Sequence, residues 1–139
     1  MSETRPSTLL GFDHGERRIG VAVGQSITAT ATALGVIDVD SGRPDWDAIA
    51  ALIGDWQAEA LIVGLPLNMD GTEQAASAGA RRFAAALKRR FELPVHLHDE
   101  RLSTREARER LHRQGEDPEQ DDAMAARIIL EGWLDEDRH

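Results

Sequence analysis

Cysteine is absent from the 139-residue chain, which excludes disulfides and thiolate metal sites and makes the cytoplasm the default location. Long apolar runs are absent too, and none approaches the ~20 residues of a membrane span. The first eight residues, MSETRPST, carry no hydrophobic signal segment and read as a flexible N-terminal tail to a single domain over 9–139. Positive charge is scarce: 16 Lys and Arg stand against 25 Asp and Glu, a formal net charge of −9. That is the wrong sign for gripping nucleic acid through bulk electrostatics, so such a role needs locally concentrated cations or a metal-bridged contact. G-x-S-x-G, Walker A and G-x-G-x-x-G are all missing, so neither a serine-hydrolase elbow nor a phosphate loop is supported. Apolar residues make up 41% of the chain, which suits one packed domain and argues against disorder.

Within that frame the strands announce themselves by alternation. Leu9, Leu10 and Phe12 lead into Asp13, and Ile19, Val21 and Val23 alternate with small residues on the way back. The pattern predicts a hairpin over about 8–13 and 18–24, turning through His14-Gly15-Glu16-Arg17, where Gly15 supplies the backbone freedom. A third strand follows at 33–39, closed by Asp40-Ser41-Gly42, and Pro44 then opens a helix to about 57. The fourth strand (60–64) is continuously apolar, as a parallel strand buried on both faces tends to be. A polar loop, PLNMDGTE, leads to a second helix at about 74–91 and a fifth strand at 94–98. Ser103 and Glu106 fit a capping box opening a helix to about 114, and Asp117-Pro118 starts a last helix to about 134. The predicted class is α/β: a mixed five-stranded sheet with strands 1–3 antiparallel, flanked by helices.

Three acids occupy places that ordinary structure does not ask for. Asp13 ends a buried strand, where a carboxylate is expensive unless a metal ion or an arginine such as Arg17 or Arg18 sits against it. Glu100 follows the fifth strand, and strand ends in open α/β sheets are where ligands bind. Its plain alternative is pairing with Arg101 or Arg105. Asp122 shares a predicted helical stripe with Ala125, Ala126, Ile129 and Trp133, which leaves Asp121 nearer solvent. Carboxylates gathered from separated elements are what a hard divalent cation requires. On the second helix, Ala76, Ala80, Phe83, Leu87 and Phe91 share one face, with Arg81, Arg82, Lys88 and Arg89 crowded beside it. The loop around Asn68 mixes amide, carboxylate and hydroxyl groups and reads as a ligand-contact segment. His14, His96 and His98 read as structural or solvent-facing.

In order and spacing, GFDHGERRIGVAV, GLPLNMDGTE, DERLST and D-x-x-A-A-x-x-I-L-x-x-W-L resemble the YqgF (RuvX) family, over 9–134. These are described as nucleases of precursor 16S rRNA and as Holliday-junction-resolvase-like proteins. The resemblance implies an RNase H-like fold, with Asp13, Glu100 and Asp122 as metal ligands in phosphodiester hydrolysis with Mg²⁺ or Mn²⁺. It implies a nucleic-acid partner, an rRNA precursor first and branched DNA second, with ribosomal particles as a further partner and a monomer or homodimer as the unit. Arg17, Arg18, Asn68, Arg81, Arg82, Lys88, Arg89 and Arg101 are the candidate nucleic-acid contacts. One departure concerns the segment before the last helix, usually rich in Lys and Arg, which here reads GEDPEQDD. Two rival readings are a resolvase-like DNA nuclease and a non-catalytic ribosome- or transcription-associated factor that keeps the fold.

Overall fold

The computed structural model describes residues 8–100 and 118–137. The tail at 1–7, Arg101 and the helix expected at 103–114 lie outside the described residues. Six strands form one sheet: β1 (Thr8–His14), β2 (Arg18–Gln25), β3 (Thr30–Asp40), β4 (Arg43–Pro44), β5 (Ala60–Leu65) and β6 (Val95–Asp99). Their order across the sheet is β4-β3-β2-β1-β5-β6, with β1 to β4 antiparallel in sequence and β5 and β6 added parallel to β1. Helices α1 (Trp46–Trp56) and α2 (Ala75–Phe91) and the long α3 (Pro118–Asp137) complete the described elements. None of these helices is long and apolar enough to cross a membrane.

Alternation along β1 sets up two cores. Leu10 and Phe12 point to the side covered by α1 and α2, where they join Val21, Ile49, Leu61, Val63, Phe83 and Leu87. Leu9 points to the other side, where Ala22, Ile62, Ala126, Leu130 and Leu134 pack under α3. Each fully buried Leu, Ile or Phe contributes about 1.5–3 kcal/mol, so both layers are needed to hold the sheet between them. All six β5 residues are buried, as a strand covered on both faces must be.

The structure corrects the sequence reading in three places. The sheet has six strands rather than five, because Arg43 and Pro44 pair with Asp40 and Val39 as a two-residue edge strand. Proline is tolerated there since an edge position asks for no ladder donor. Asp45 therefore caps α1, its Oδ1 accepting from the Ala48 N–H at 3.1 Å.

On α2 the buried positions are Ser77, Ala80, Phe83, Ala84 and Leu87, and Ala76 is exposed. The Ser77 hydroxyl donates to the Pro66 carbonyl and turns the first helical turn inward. On α3 the buried stripe is Ala123, Ala126, Ile129, Leu130 and Leu134, while Ala125 and Trp133 are only half-buried. The reason lies in the sheet. At Gly11 a Cβ would stand 2.9 Å from Leu130 Cβ, and at Gly24 one would stand 2.8 Å from Leu130 Cδ2. Small residues on β1 and β2 thus let the helix lie close, with Leu130 seated between the two strands.

Candidate active site

Asp13 belongs to the α3 side of β1, two residues beyond Gly11, because side chains alternate along a strand. Its neighbours in the sheet are both glycines. Across the antiparallel pairing it faces Gly20. Across the parallel pairing it stands one residue past the Phe12–Val63 match, beside Gly64. Each glycine leaves room for an acid. Over Gly20 lies the main chain of Asp122, whose carbonyl oxygen a Cβ at Gly20 would overlap. Over Gly64 lies the Glu100 carboxylate, with Oε2 at 2.8 Å from where a Cβ would be. Asp13 therefore stands between the Glu100 carboxylate and the Asp122 main chain on one face of the sheet. All three are half-buried.

Asp122 does not sit at the centre of the buried stripe. It lies about 60° to one side of it, and Asp121 about 160° away. Its carboxylate meets Arg18, Nε to Oδ2 at 2.8 Å. Arg18, one of the two arginines offered as a partner for Asp13, reaches across from β2 to the helix. Both side chains are about one-third exposed, at 34% and 32%. Among the described residues no three acidic or imidazole side chains stand close enough to share an ion as they are.

The remaining candidates divide. Arg81 is tied to Glu73 by a two-pronged ion pair, Nε and Nη2 to the carboxylate at 2.8 and 2.5 Å, and the contact holds the Glu73 carboxyl below its ordinary range. Both donors of the Asn68 amide close its own loop, to Thr72 Oγ1 at 2.9 Å and the Glu73 carbonyl at 3.4 Å. Lys88 is exposed, as is Arg17 in the β1–β2 turn. Arg82 and Arg89 line a concavity on the α1 and α2 side of the sheet, well apart from the carboxylate face.

His14 lines the same concavity, its ring 5.2 Å from that of Phe83, and burial together with the nearby Arg82 lowers its pKa. His98 is buried beneath α3, Nδ1 at 3.3 Å from Glu136 Oε2, and burial lowers its pKa against the pull of Glu136 and Asp99. His96 is exposed and stacks on Trp133. Each of these three histidines thus packs on an aromatic ring or pairs with an acid. Gly20 and Gly64 are the glycines beside Asp13 that sequence reasoning passed over. The signal was there, since Gly20, Ala22 and Gly24 occupy every second position of β2.

The RuvX family model, described as Holliday junction resolvase, matches residues 7–136. The chain belongs to the RuvX family. A relative in Azotobacter vinelandii named "Putative pre-16S rRNA nuclease" is 53% identical over 135 residues, covering 94% of this chain and 95% of its own. One of the same name in Coxiella burnetii is 48% identical over 132 residues, with 94% of each chain covered. Among solved structures, Thermus thermophilus RuvC in complex with a Holliday junction substrate aligns with a TM-score of 0.57 at 14% identity, over 94% of this chain and 96% of that one. Fowlpox virus resolvase in complex with junction DNA aligns with the same TM-score of 0.57 at 10% identity, over 93% and 97%. The RuvX chain described here has the RNase H-like fold of these resolvases. It is a nuclease, a hydrolase of phosphodiester bonds.

Proposed function

We propose that this RuvX nuclease cleaves the precursor of small-subunit rRNA at a divalent-metal site built from Asp13, Glu100 and Asp122. The observation that carries the reading is the placement of Asp13 between two glycines, one beneath Glu100 and the other beneath the Asp122 main chain. The donor set fits a hard cation: every candidate ligand is a carboxylate oxygen, and Gly64 opens the sheet surface where the Glu100 carboxylate lies. Imidazole is not required, since His98 is engaged with Glu136 under α3. Asp13, Glu100 and Asp122 would hold one or two Mg²⁺ or Mn²⁺ ions, which supply an activated water and stabilise the departing oxygen of the phosphodiester.

The chain's own residues supply positioning and charge. Arg18 neutralises Asp122 while no other cation is present, and once displaced its guanidinium is a donor for a phosphate oxygen. Arg17 in the exposed turn and Arg101 after Glu100 are further phosphate contacts in this reading, along with Lys88. Arg81 and Asn68 would have to leave Glu73 and Thr72 to serve. Similarity to relatives named for pre-16S rRNA supports the RNA substrate.

A second reading, cleavage of four-way DNA junctions, is favoured by the description of the family model itself. The test is purified protein with Mn²⁺ on a 5′-extended small-subunit rRNA fragment and on a four-way junction, side by side with Asp13→Asn, Glu100→Gln and Asp122→Asn. Cleavage of the RNA alone, lost in all three variants, is expected. Cleavage of the junction alone selects the second reading, and variants that retain wild-type rates overturn the site.

A further inference from the structure

Four of the chain's 16 basic residues, Arg43, Arg82, Arg89 and Arg90, line one concavity of about 650 Å³ between α2 and β4. Among the described residues only one acid, Glu16, joins them in the lining. In a chain of net charge −9 this is a local reversal of sign. Among the described residues none of the four arginines is ion-paired, whereas Arg18, Arg81 and Arg127 each have a carboxylate partner. Unpaired guanidinium groups gathered around a hollow repel one another, and an anion relieves that repulsion.

One of the four is also held in place. The Arg90 guanidinium lies 4.3 Å over the Trp46 ring, which stacks on Phe83 with centroids 5.8 Å apart. Arg82 and Arg89 are seven residues apart on α2, so they stand two turns, about 10 Å, from each other along the helix axis. Arg43 comes from the opposite wall, on the edge strand. Charges spread along a trough in this way suit several phosphates in a row rather than one compact anion. The hollow falls in the ~300–1,000 Å³ range of small-ligand sites, so nucleotide-sized groups enter it. A duplex, with its phosphates on a convex surface, meets only the rim.

Its position relative to the carboxylates completes the case. His14 lines the hollow and directly follows Asp13 on β1. Alternation puts the two side chains on opposite faces of the sheet, so the two sites lie on either side of one strand end. Gly15 and Glu16 of the β1–β2 turn also line the hollow.

We propose that the Arg43–Arg82–Arg89–Arg90 hollow is a second nucleic-acid site, which holds the phosphodiester backbone of a single-stranded segment of substrate away from the cleaved bond. This rests on the nuclease reading for what the strand is, but its test needs no catalysis. A fluorescent single-stranded RNA ten-mer is titrated in EDTA against wild type, Arg43→Gln/Arg89→Gln and Arg81→Gln at several salt concentrations. Arg43 and Arg89 are exposed, so melts of the double variant should match wild type. The expected result is weaker binding in the double variant, with a log–log salt slope flatter by roughly 0.7 for each lost contact, and wild-type binding for Arg81→Gln. An unchanged affinity and slope in the double variant overturns the site. An equal loss on a duplex of the same length overturns the single-strand assignment. If binding behaves as expected but the wild-type protein with Mn²⁺ cleaves nothing, the carboxylate reading fails and this one stands.

Discussion

Gly64→Ala isolates what the carboxylate face requires of the sheet beneath it. The new Cβ would stand 2.5 Å from Ile129 Cδ1 and 2.8 Å from Glu100 Oε2. Ordinary contacts need about 3.5–4.0 Å between carbons, so each neighbour has to retreat by about 1 Å. Both are far ends of flexible side chains, and the fold can yield to them. Stability should fall by the ~1–3 kcal/mol of an added core methyl, at roughly 4 °C of Tm per kcal/mol. Activity should fall further, because a misplacement of about 1 Å in a positioned group costs on the order of 10²-fold.

Gly11→Ala is the matched comparison. Its Cβ would meet Leu130 Cβ at 2.9 Å and the Ala126 carbonyl at 3.3 Å, with no acid among the nearest atoms. The assay is initial rate on the rRNA precursor with Mn²⁺, at a temperature below both melting points, with melts run in parallel. A loss of Tm at least as large for Gly11→Ala, whose neighbours are a Cβ and a backbone carbonyl, with a deficit of about 10²-fold in rate for Gly64→Ala alone, is expected. Rates within a few-fold of each other would mean that Glu100 does not depend on the opening at Gly64, and the site geometry would have to be redrawn.

Arg18→Gln removes a partly exposed ion pair and should cost at most about 1 kcal/mol. It should lower the Mn²⁺ concentration that half-saturates thermal stabilisation, and an unchanged midpoint refutes competition between Arg18 and a metal for Asp122. Asp122→Asn should abolish hydrolysis while Asp121→Asn, on the far side of α3, stays within a few-fold; the reverse pattern in a rate assay would assign the ligand to Asp121. For His98, burial lowers the folded-state pKa, so the unfolded chain binds the proton first and stability falls with pH below the ordinary imidazole value near 6.5. Denaturation midpoints of wild type should drop more between pH 7.5 and 5.5 than those of His98→Asn, and parallel curves would show that His98 is not the group responsible. Gly132→Ala, whose Cβ would stand 2.7 Å from His98 Nε2, should lower Tm and leave the rate at matched stability intact, since it presses on the helix behind the site.

The elements that follow a single period were legible. β1, β2 and β5 alternate or run apolar without interruption, and their observed bounds differ from the predicted ones by a residue or so. Asp13 stood out as a candidate for a different reason: it sits where a strand has no use for a charge, which a sequence displays without any neighbour being known. What could not be read were features that need two elements at once. The β4 pairing depends on Val39 lying opposite Pro44, and no local signal separates a proline opening a helix from one ending an edge strand. The inward stripe of α3 is set by where Gly11 and Gly24 let Leu130 approach. The helix sequence by itself fits either register. Arg43 and Arg90 lie far apart in sequence, so their shared hollow with Arg82 and Arg89 appears only after β4 folds against α2.

An acidic nuclease of an acidic polymer poses an electrostatic problem that the two proposed sites would divide between the faces of the sheet. Acids near the cleaved bond repel phosphate until a cation occupies them, so attraction has to come from elsewhere in the first encounter. At 0.15 M salt charges are screened beyond about 8 Å. A distant surplus of acid therefore matters less than the few cations that a strand meets directly. The arginines of the α2 side, unpaired among the described residues, meet that condition, while Arg18 is held by Asp122 and Arg81 by Glu73. Under the two proposals, capture on one face and hydrolysis on the other should respond differently to salt. Raising the ionic strength should raise KM by the same factor for wild type and Asp13→Glu, while their kcat ratio stays constant. A kcat ratio that changes with salt would show that the two faces are not separable.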